Sequence, residues 1–391
     1  MIRGFATVDG TGEYARRFSH LSYSPLGRAD LQVSAAGFGA YRVDSSVAEH
    51  RAALQSALLS GINLIDTSAN YADGGSEKLI GEVLGELIGQ GTIARDGVVI
   101  VSKGGYLQGG NYRRSQARKA AGQPFPELVE YAHGLEHCIH PDFLAEQIKD
   151  SLERLQVETI DCYLLHNPEY YLKYAEEQGM NCTAARTEYL RRIETAFRHL
   201  ETEAAAGRIG WYGISSNTFV LSEDDYAFTS LAQVWELAEG ISPAHHFAVI
   251  EFPWNLFETG AVTEANQPGG ASLIEVARDV GLGVLVNRPL NAIRDNDLIR
   301  LADNVYDGQA ALSAAAFRRQ VAAIDSDWQD ADTLSHLALR ALRSTLGVTA
   351  VLVGMRHTDY VADIIQELRS ACTPAERRAV WEKVKEITAA R

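Results

Sequence analysis

Ile62-Asn63-Leu64-Ile65-Asp66-Thr67-Ser68-Ala69-Asn70-Tyr71 climbs through apolar residues to a carboxylate and, five residues on, to a phenol. An apolar run without strict alternation reads as a parallel strand covered on both faces, and the turn residues after it as a loop. The same reading applies at Ser34–Tyr41, Val98–Ser102, Thr159–Leu165, Gly210–Ser215, Phe247–Phe252, Gly283–Val286 and Thr349–Val353. With Ile62–Thr67 these make eight candidate strands.

Helical patterns lie between them. Leu79, Ile80, Val83, Leu84, Leu87 and Ile88 recur at helical spacing behind Ser76, and Leu144, Ile148, Leu152 and Leu155 behind Asp142. Ser76 and Asp142 are therefore the expected N-caps. Further helices are predicted over Val47–Leu59, Thr187–Ala206, Leu273–Val280, Thr333–Leu346, Thr358–Leu368 and Thr373–Ala389. Alternating strand and helix implies a parallel sheet, either closed as an eightfold barrel or open and doubly wound. The count of eight favours the closed (β/α)8 barrel, and no G-x-G-x-x-G follows any candidate strand. Residues 1–391 are read as a single domain, with insertions at about 104–140, 167–186 and 290–330. All three follow strand ends, which places long loops over the C-terminal face, where barrels bind ligands.

Composition narrows the partners. Apolar residues make up 46% and charged residues 22% of the chain, enough to bury a large core. A formal net charge of −15 argues against a nucleic-acid partner, whose phosphates require Lys and Arg. Cys138, Cys162, Cys182 and Cys372 are far apart, with no CxxC, and suggest reduced thiols. Residues 1–24 contain no apolar signal core, and no stretch reaches 18 consecutive apolar residues. A cytoplasmic protein with no membrane association is the expectation. Asn181-Cys182-Thr183 is then a sequon by letter only.

Chemistry gathers at three strand ends. One strand ends on Asp66 with Tyr71 in the following loop, the next on Ser102-Lys103, and a third, Ile160-Asp161-Cys162-Tyr163-Leu164-Leu165, on His166. In a barrel these ends meet at one rim. An unperturbed phenol titrates near ~10 and donates protons poorly unless a neighbour stabilises the phenolate. A buried Lys103 held by Asp66 can do so, while His166 orients a carbonyl oxygen beside the Tyr71 hydroxyl.

These residues resemble the aldo-keto reductase family, and the resemblance covers nearly all of the chain. Asp66-Thr67-Ser68-Ala69-Asn70-Tyr71 is similar to the family's Asp-Thr-Ala-x-x-Tyr, Ser102-Lys103 to its strand-end Thr-Lys, and Leu164-Leu165-His166 to its Leu-x-His. Leu26-Gly27-Arg28, Val33-Ser34 and Gly37-Phe38-Gly39 look like its first strand and approach. The resemblance implies an NAD(P)-dependent oxidoreductase that interconverts a carbonyl (aldehyde, ketone or sugar) and an alcohol. Tyr71 would be its general acid/base, Lys103 and Asp66 the tuning pair, and His166 the orienting group.

On the cofactor side, Gly213-Ile214-Ser215-Ser216-Asn217 looks like the family's Gly-x-Ser-Asn, which holds the nicotinamide carboxamide. One extra Ser leaves the register open between Ser215 and Ser216. Val353-Gly354-Met355-Arg356, followed by Asp359, Tyr360 and Asp363, looks like the last strand and helix start that bind the adenosine phosphate end, where helix N–H groups favour anions. Gly354, Arg356 and Asp363 are the residues implied there, with a modest preference for NADP over NAD carried by Arg356. Two positions depart from the family. With Glu251 aligned to the family's Glu, its strand-six Gln falls at Val249, and its ring-stacking strand-seven Tyr falls at Asn287. Asn287 and Arg288 are expected to line the cofactor site together in place of the stack.

Other features carry less. His133, His137, Cys138 and His140 crowd one insertion, and His133 with His137 could share a helix face, but no second cluster completes a site, so no metal is expected. His245-His246 is weaker still. Arg113, Arg114, Arg118 and Lys119 read as a solvated loop face, or as an attraction for an acidic substrate. A small-molecule carbonyl or alcohol is the expected partner. The alternative from another class is a non-catalytic, nucleotide-binding regulatory barrel, since fold alone does not imply turnover. A metal-dependent barrel hydrolase or isomerase would need carboxylates and histidines at strand ends in ligand spacing, and the strand-end inventory is too poor for that.

Overall fold

The computed structural model describes residues 1–294, 297–301 and 308–389. Eight parallel strands close into a barrel: β1 (Ala36–Gly39), β2 (Leu64–Asp66), β3 (Val99–Gly104), β4 (Ile160–His166), β5 (Ile209–Ser215), β6 (Phe247–Pro253), β7 (Gly283–Asn287) and β8 (Ala350–Gly354). Each pairs with the next in sequence, and β8 closes on β1 from Val351–Ala36 to Gly354–Gly39. The outer helices are α1 (Ala48–Leu59), α2 (Gly75–Gly89), α3 (Pro141–Leu155), α4 (Cys182–Ala205), α5 (Leu231–Ile241), α6 (Leu273–Asp279), α7 (Leu334–Arg343) and α8 (Thr358–Leu368). All eight expected strands are present.

Period-two alternation sorts each strand's side chains between helices and barrel axis. Ile65, Ile100, Leu165, Ile250, Val284 and Val351 face outward into the helical core. Leu64, Val101, Leu164, Val249, Leu285 and Leu352 fill a separate inner cluster. Two residues further along, the inward positions turn polar: Asp66, Lys103, His166, Ser215, Glu251 and Asn287. That polar layer is the floor of the mouth. Gly213 lets β5 and β6 approach beneath it, since a Cβ there would lie 1.9 Å from the Val249 carbonyl oxygen.

The opposite end is plugged. Tyr23–Pro25 and Gln32–Ser34 pair as an antiparallel hairpin, whose Leu26, Leu31 and Val33 join the inner cluster. Asp161, at the base of β4, accepts hydrogen bonds from the backbone N–H groups of Ala6 (2.7 Å) and Ile100 (2.8 Å) and from Arg95 (2.9 Å).

Both expected N-caps are corrected. Helix α2 begins after Gly74, at φ +90°, and the Ser76 hydroxyl instead meets Thr67 Oγ1 at 2.8 Å inside the protein. At α3 the cap is His140, whose ring accepts from the Asp142 N–H at 3.2 Å; Asp142 lies in the first turn, where its charge suits the dipole. Asn181 of the sequon caps α4.

The described residues of the insertions carry regular structure. After β3, strands Tyr106–Leu107, Leu135–His137 and Val129–Ala132 form a small antiparallel sheet beside a helix at Gly109–Ala120. The basic run therefore lies on a helix, where Arg114, Arg118 and Lys119 pair with Asp150, Glu146, Glu130 and Glu136. His137 is on a strand and not on a helix face with His133. After β4 comes the helix Tyr170–Glu177. Within the third insertion, Asn291–Arg294 and Asp297–Arg300 pair antiparallel before a helix at Gly308–Ala322; residues 295–296 and 302–307 of this expected insertion lie outside the described residues.

Candidate active site

Lys103 is fully buried at the end of β3. Its Nζ pairs with Asp66 of β2, stands 3.2 Å from Glu251 Oε2 of β6 and donates to the Thr67 carbonyl at 3.2 Å. A buried ammonium is tolerated only with such compensation. The Tyr71 ring lies over it, 5.3 Å from Nζ to centroid, and meets His166 edge-on at 6.0 Å. The structure thus brings Asp66, Tyr71, Lys103 and His166 together.

The charges in this layer act on one another at close range. Burial, followed by Glu251, pushes the Asp66 carboxyl up, against the pull of Lys103. Burial opposes the Lys103 charge, but Asp66 and Glu251 outweigh it, so the ammonium is held above its usual range. Burial raises the Tyr71 phenol, with Lys103 the largest opposing influence; the hydroxyl therefore keeps its proton at neutral pH. His166 is held neutral, well below its usual range, by burial and then by Lys103 and His137.

Second-layer contacts orient His166. Ser68 Oγ is 2.9 Å from its Nδ1 and donates to Asn70 Oδ1 at 2.7 Å, while Asn70 Nδ2 donates to Gln108 Oε1 at 3.0 Å. Tyr106 packs edge-on against the imidazole at 4.7 Å, and the His166 carbonyl meets His137 Nε2 at 2.7 Å.

The cofactor-side residues divide. Ser215 faces inward and donates to Glu251 Oε1 at 3.1 Å. Ser216 turns away to Thr218, and its Oγ receives the Thr218 N–H at 3.1 Å. Asn217 is half-buried; its N–H goes to Glu169, and among the described residues its side chain has no hydrogen bond. Asn287 donates to Glu251 Oε1 at 2.9 Å, and its Oδ1 is buried without a partner among the described residues. Arg288, at φ +54°, pairs with Glu258 at 2.8 Å, so its fork is already partly engaged. Gly354 is exposed, with open space where a Cβ would stand. Arg356 is half-buried and makes no ion pair among the described residues, whereas Asp363 is engaged by His336 at 2.9 Å.

Glu251 is the residue that sequence reasoning undervalued. In the sequence it is an alignment anchor, yet a lone carboxylate in the apolar run Phe247–Phe252 is a signal in its own right. Ser68, where the family element has Ala, was the other visible sign. Gln108 and Tyr106 left none, because only folding brings them to His166. Among the described residues no three His, Cys, Asp or Glu come together as a metal-holding group, and no helix is long and apolar enough to cross a membrane.

Residues 35–385 match the model of the Aldo/keto reductase family. Curated relatives include the NADH-specific methylglyoxal reductase of Escherichia coli, 27% identical over 39% of this chain and 44% of its own. The 6-dehydroglucose reductase of Novosphingobium aromaticivorans is 26% identical over 38% and 42%. The L-galactose dehydrogenase of Arabidopsis thaliana is 30% identical over 37% and 38%. The chain spans less than half the length of these relatives. Among solved structures, an aldo-keto reductase from Bacillus halodurans superposes with a TM-score of 0.58 at 20% identity, covering 93% of this chain and 96% of its own. The glycerol dehydrogenase of Gluconobacter oxydans gives 0.59 at 18% identity, covering 95% of each. An aldo/keto reductase from Klebsiella pneumoniae in complex with NADP and acetate gives 0.54 at 18%, covering 93% and 95%.

Proposed function

We propose that this chain, which belongs to the aldo/keto reductase family, is an oxidoreductase that interconverts a small carbonyl compound and its alcohol, with Tyr71 passing the proton. The observation that carries this reading is the single polar layer at the barrel mouth, where Lys103 sits between two carboxylates and against the Tyr71 ring. Fixed charges placed where charge develops lower a barrier without reorganising at the moment of reaction. Tyr71 gives its hydroxyl proton to the carbonyl oxygen, and Lys103 stabilises the phenolate left behind. Asp66 and Glu251 hold Lys103 in place. Neutral His166 stands edge-on beside the Tyr71 ring and helps to shape the place of the same oxygen, and the reverse reaction uses the same groups.

The residues present fit an NAD(P) cofactor. Among the described residues Asn287 Oδ1 has no partner and the Asn217 side chain no hydrogen bond, which suits a carboxamide, and open Gly354 with Arg356 leads to the N-terminus of α8, which suits phosphate. When bound, the nicotinamide supplies or takes up the hydride. Arg356, without a carboxylate partner among the described residues, supports a modest preference for the 2′-phosphorylated form, although Asp359 in the first turn of α8 opposes it. The relatives named for methylglyoxal, 6-dehydroglucose and L-galactose motivate a panel of aldehydes, ketones and sugars with both cofactors.

Tyr71→Phe tests the proton donor. Turnover on any substrate of the wild type should fall at least ~10²-fold, as expected for loss of a positioned acid, with cofactor binding nearly intact. Near-normal turnover by this variant rules out the assignment. A wild-type protein that binds cofactor but reduces or oxidises nothing on the panel would instead support the regulatory alternative.

A further inference from the structure

Asn287 is two residues beyond Leu285 on β7, so the two side chains share the barrel's inward face, with Asn287 in the polar layer and Leu285 in the apolar one below. Its amide has only one workable orientation. Glu251 Oε1 receives the Asn287 Nδ2 at 2.9 Å and the Ser215 hydroxyl at 3.1 Å, while its Oε2 stands 3.2 Å from Lys103. A carboxylate accepts and does not donate, so turning the amide over would set acceptor against acceptor. The Asn287 Oδ1 is thereby fixed as an acceptor, and it is buried with no donor among the described residues.

A buried carbonyl held this firmly and left unpaired is prepared for a donor that arrives with a ligand. Resting on the NAD(P) reading above, we infer that Asn287 Oδ1 accepts a hydrogen bond from the NH2 of the nicotinamide carboxamide, with Glu251 as the residue that positions it. This accounts for both departures from the family together. Val249 is apolar and buried in the inner cluster, where it offers the carboxamide nothing. The position that carries an aromatic ring in the family supplies a polar contact instead. Cofactor orientation then comes from hydrogen bonding more than from stacking.

The test uses two dinucleotides that differ at this contact: NAD and its 3-acetylpyridine analogue, whose acetyl group lacks the amide N–H donors. Dissociation constants are measured by calorimetry on the full chain, without turnover. Wild type should bind NAD roughly five- to tenfold more tightly than the analogue, the size of one hydrogen bond. Asn287→Ala should bring the two within about twofold. Asn287→Ser, smaller in its perturbation, gives the same answer should the alanine variant fold poorly, because its side chain is too short to reach. Equal discrimination in wild type and variant overturns the inference and leaves the cofactor reading standing. Failure of wild type to bind either dinucleotide overturns both.

Discussion

Ser68 occupies the place of the alanine in the family element, and its hydroxyl is 2.9 Å from Nδ1 of His166. A neutral imidazole carries one proton on one of two nitrogens, and Ser68, whose own hydrogen goes to Asn70, accepts at Nδ1 and so favours the proton there. Ser68 in turn is bonded to Asn70, and Asn70 to Gln108, so a chain of amides supports the ring. Ser68→Ala should lower kcat about fivefold, the worth of one hydrogen bond of ~1 kcal/mol, while leaving the cofactor dissociation constant unchanged. Unaltered kcat, together with unaltered imidazole nitrogen resonances, would remove Ser68 from this role. At this scale the sequence was legible where one residue interrupts a pattern. Asp66, Lys103 and His166 end apolar runs, and a carboxylate, an ammonium and an imidazole have little reason to sit there unless they work together. Glu251 and Ser68 interrupt patterns too, and reading each as a charge or hydroxyl needing a partner would have found them. Gln108 comes 38 residues after Asn70, in a stretch with no periodicity, and only the folded loop makes them neighbours.

The eight strands were readable because burial on both faces leaves continuous apolar runs, whereas the caps were not, since a cap depends on backbone angles as much as on residue type. Gly74 at φ +90° shifts the start of α2 so that Ser76 is already inside it. The helix Gly109–Ala120 is polar throughout, with only Ser115 buried, and is tied down by ion pairs to its neighbours more than by an apolar face. Asp161 shows the converse: a charge inside an otherwise apolar strand, serving structure and not chemistry. It joins the base of β4 to β3, to Arg95 and to the N-terminal segment through three hydrogen bonds. Asp161→Ala strands Arg95, which is nearly fully buried, and removing one partner of a buried pair typically costs ~3–5 kcal/mol. Urea unfolding should show that loss as a lower midpoint. A midpoint within experimental error of wild type would mean the plug at this end contributes little.

Across the whole molecule, acid should unfold this protein partly through its buried histidines. His137 is enclosed between Tyr170, stacked at 5.5 Å, and Tyr106, edge-on at 5.6 Å, with its Nε2 on the His166 carbonyl. Burial pushes its pKa down to about 4, against ~6.5 in an unfolded chain. Above pH ~6.5 the ring is neutral in both states and its stabilising effect is fully present. Between there and about 4 the unfolded state binds a proton that the native state refuses, so stability falls as pH falls through this window. The full loss is of order ~3 kcal/mol for this one group, approached at a limiting slope of ~1.4 kcal/mol per pH unit. His166, also depressed by burial, acts in the same direction. Asp66 and Glu169, both raised by burial, act in the opposite one, since the native state holds their protons more tightly than the unfolded chain does. His137→Gln keeps an amide N–H available for the His166 carbonyl but cannot titrate. Its unfolding free energy, measured at intervals from pH 7.5 to 4.5, should therefore decline less steeply than that of wild type, with the two curves parting only below about pH 6.5. Parallel curves over that interval would show that His137 is protonated in the folded protein as readily as in the unfolded chain.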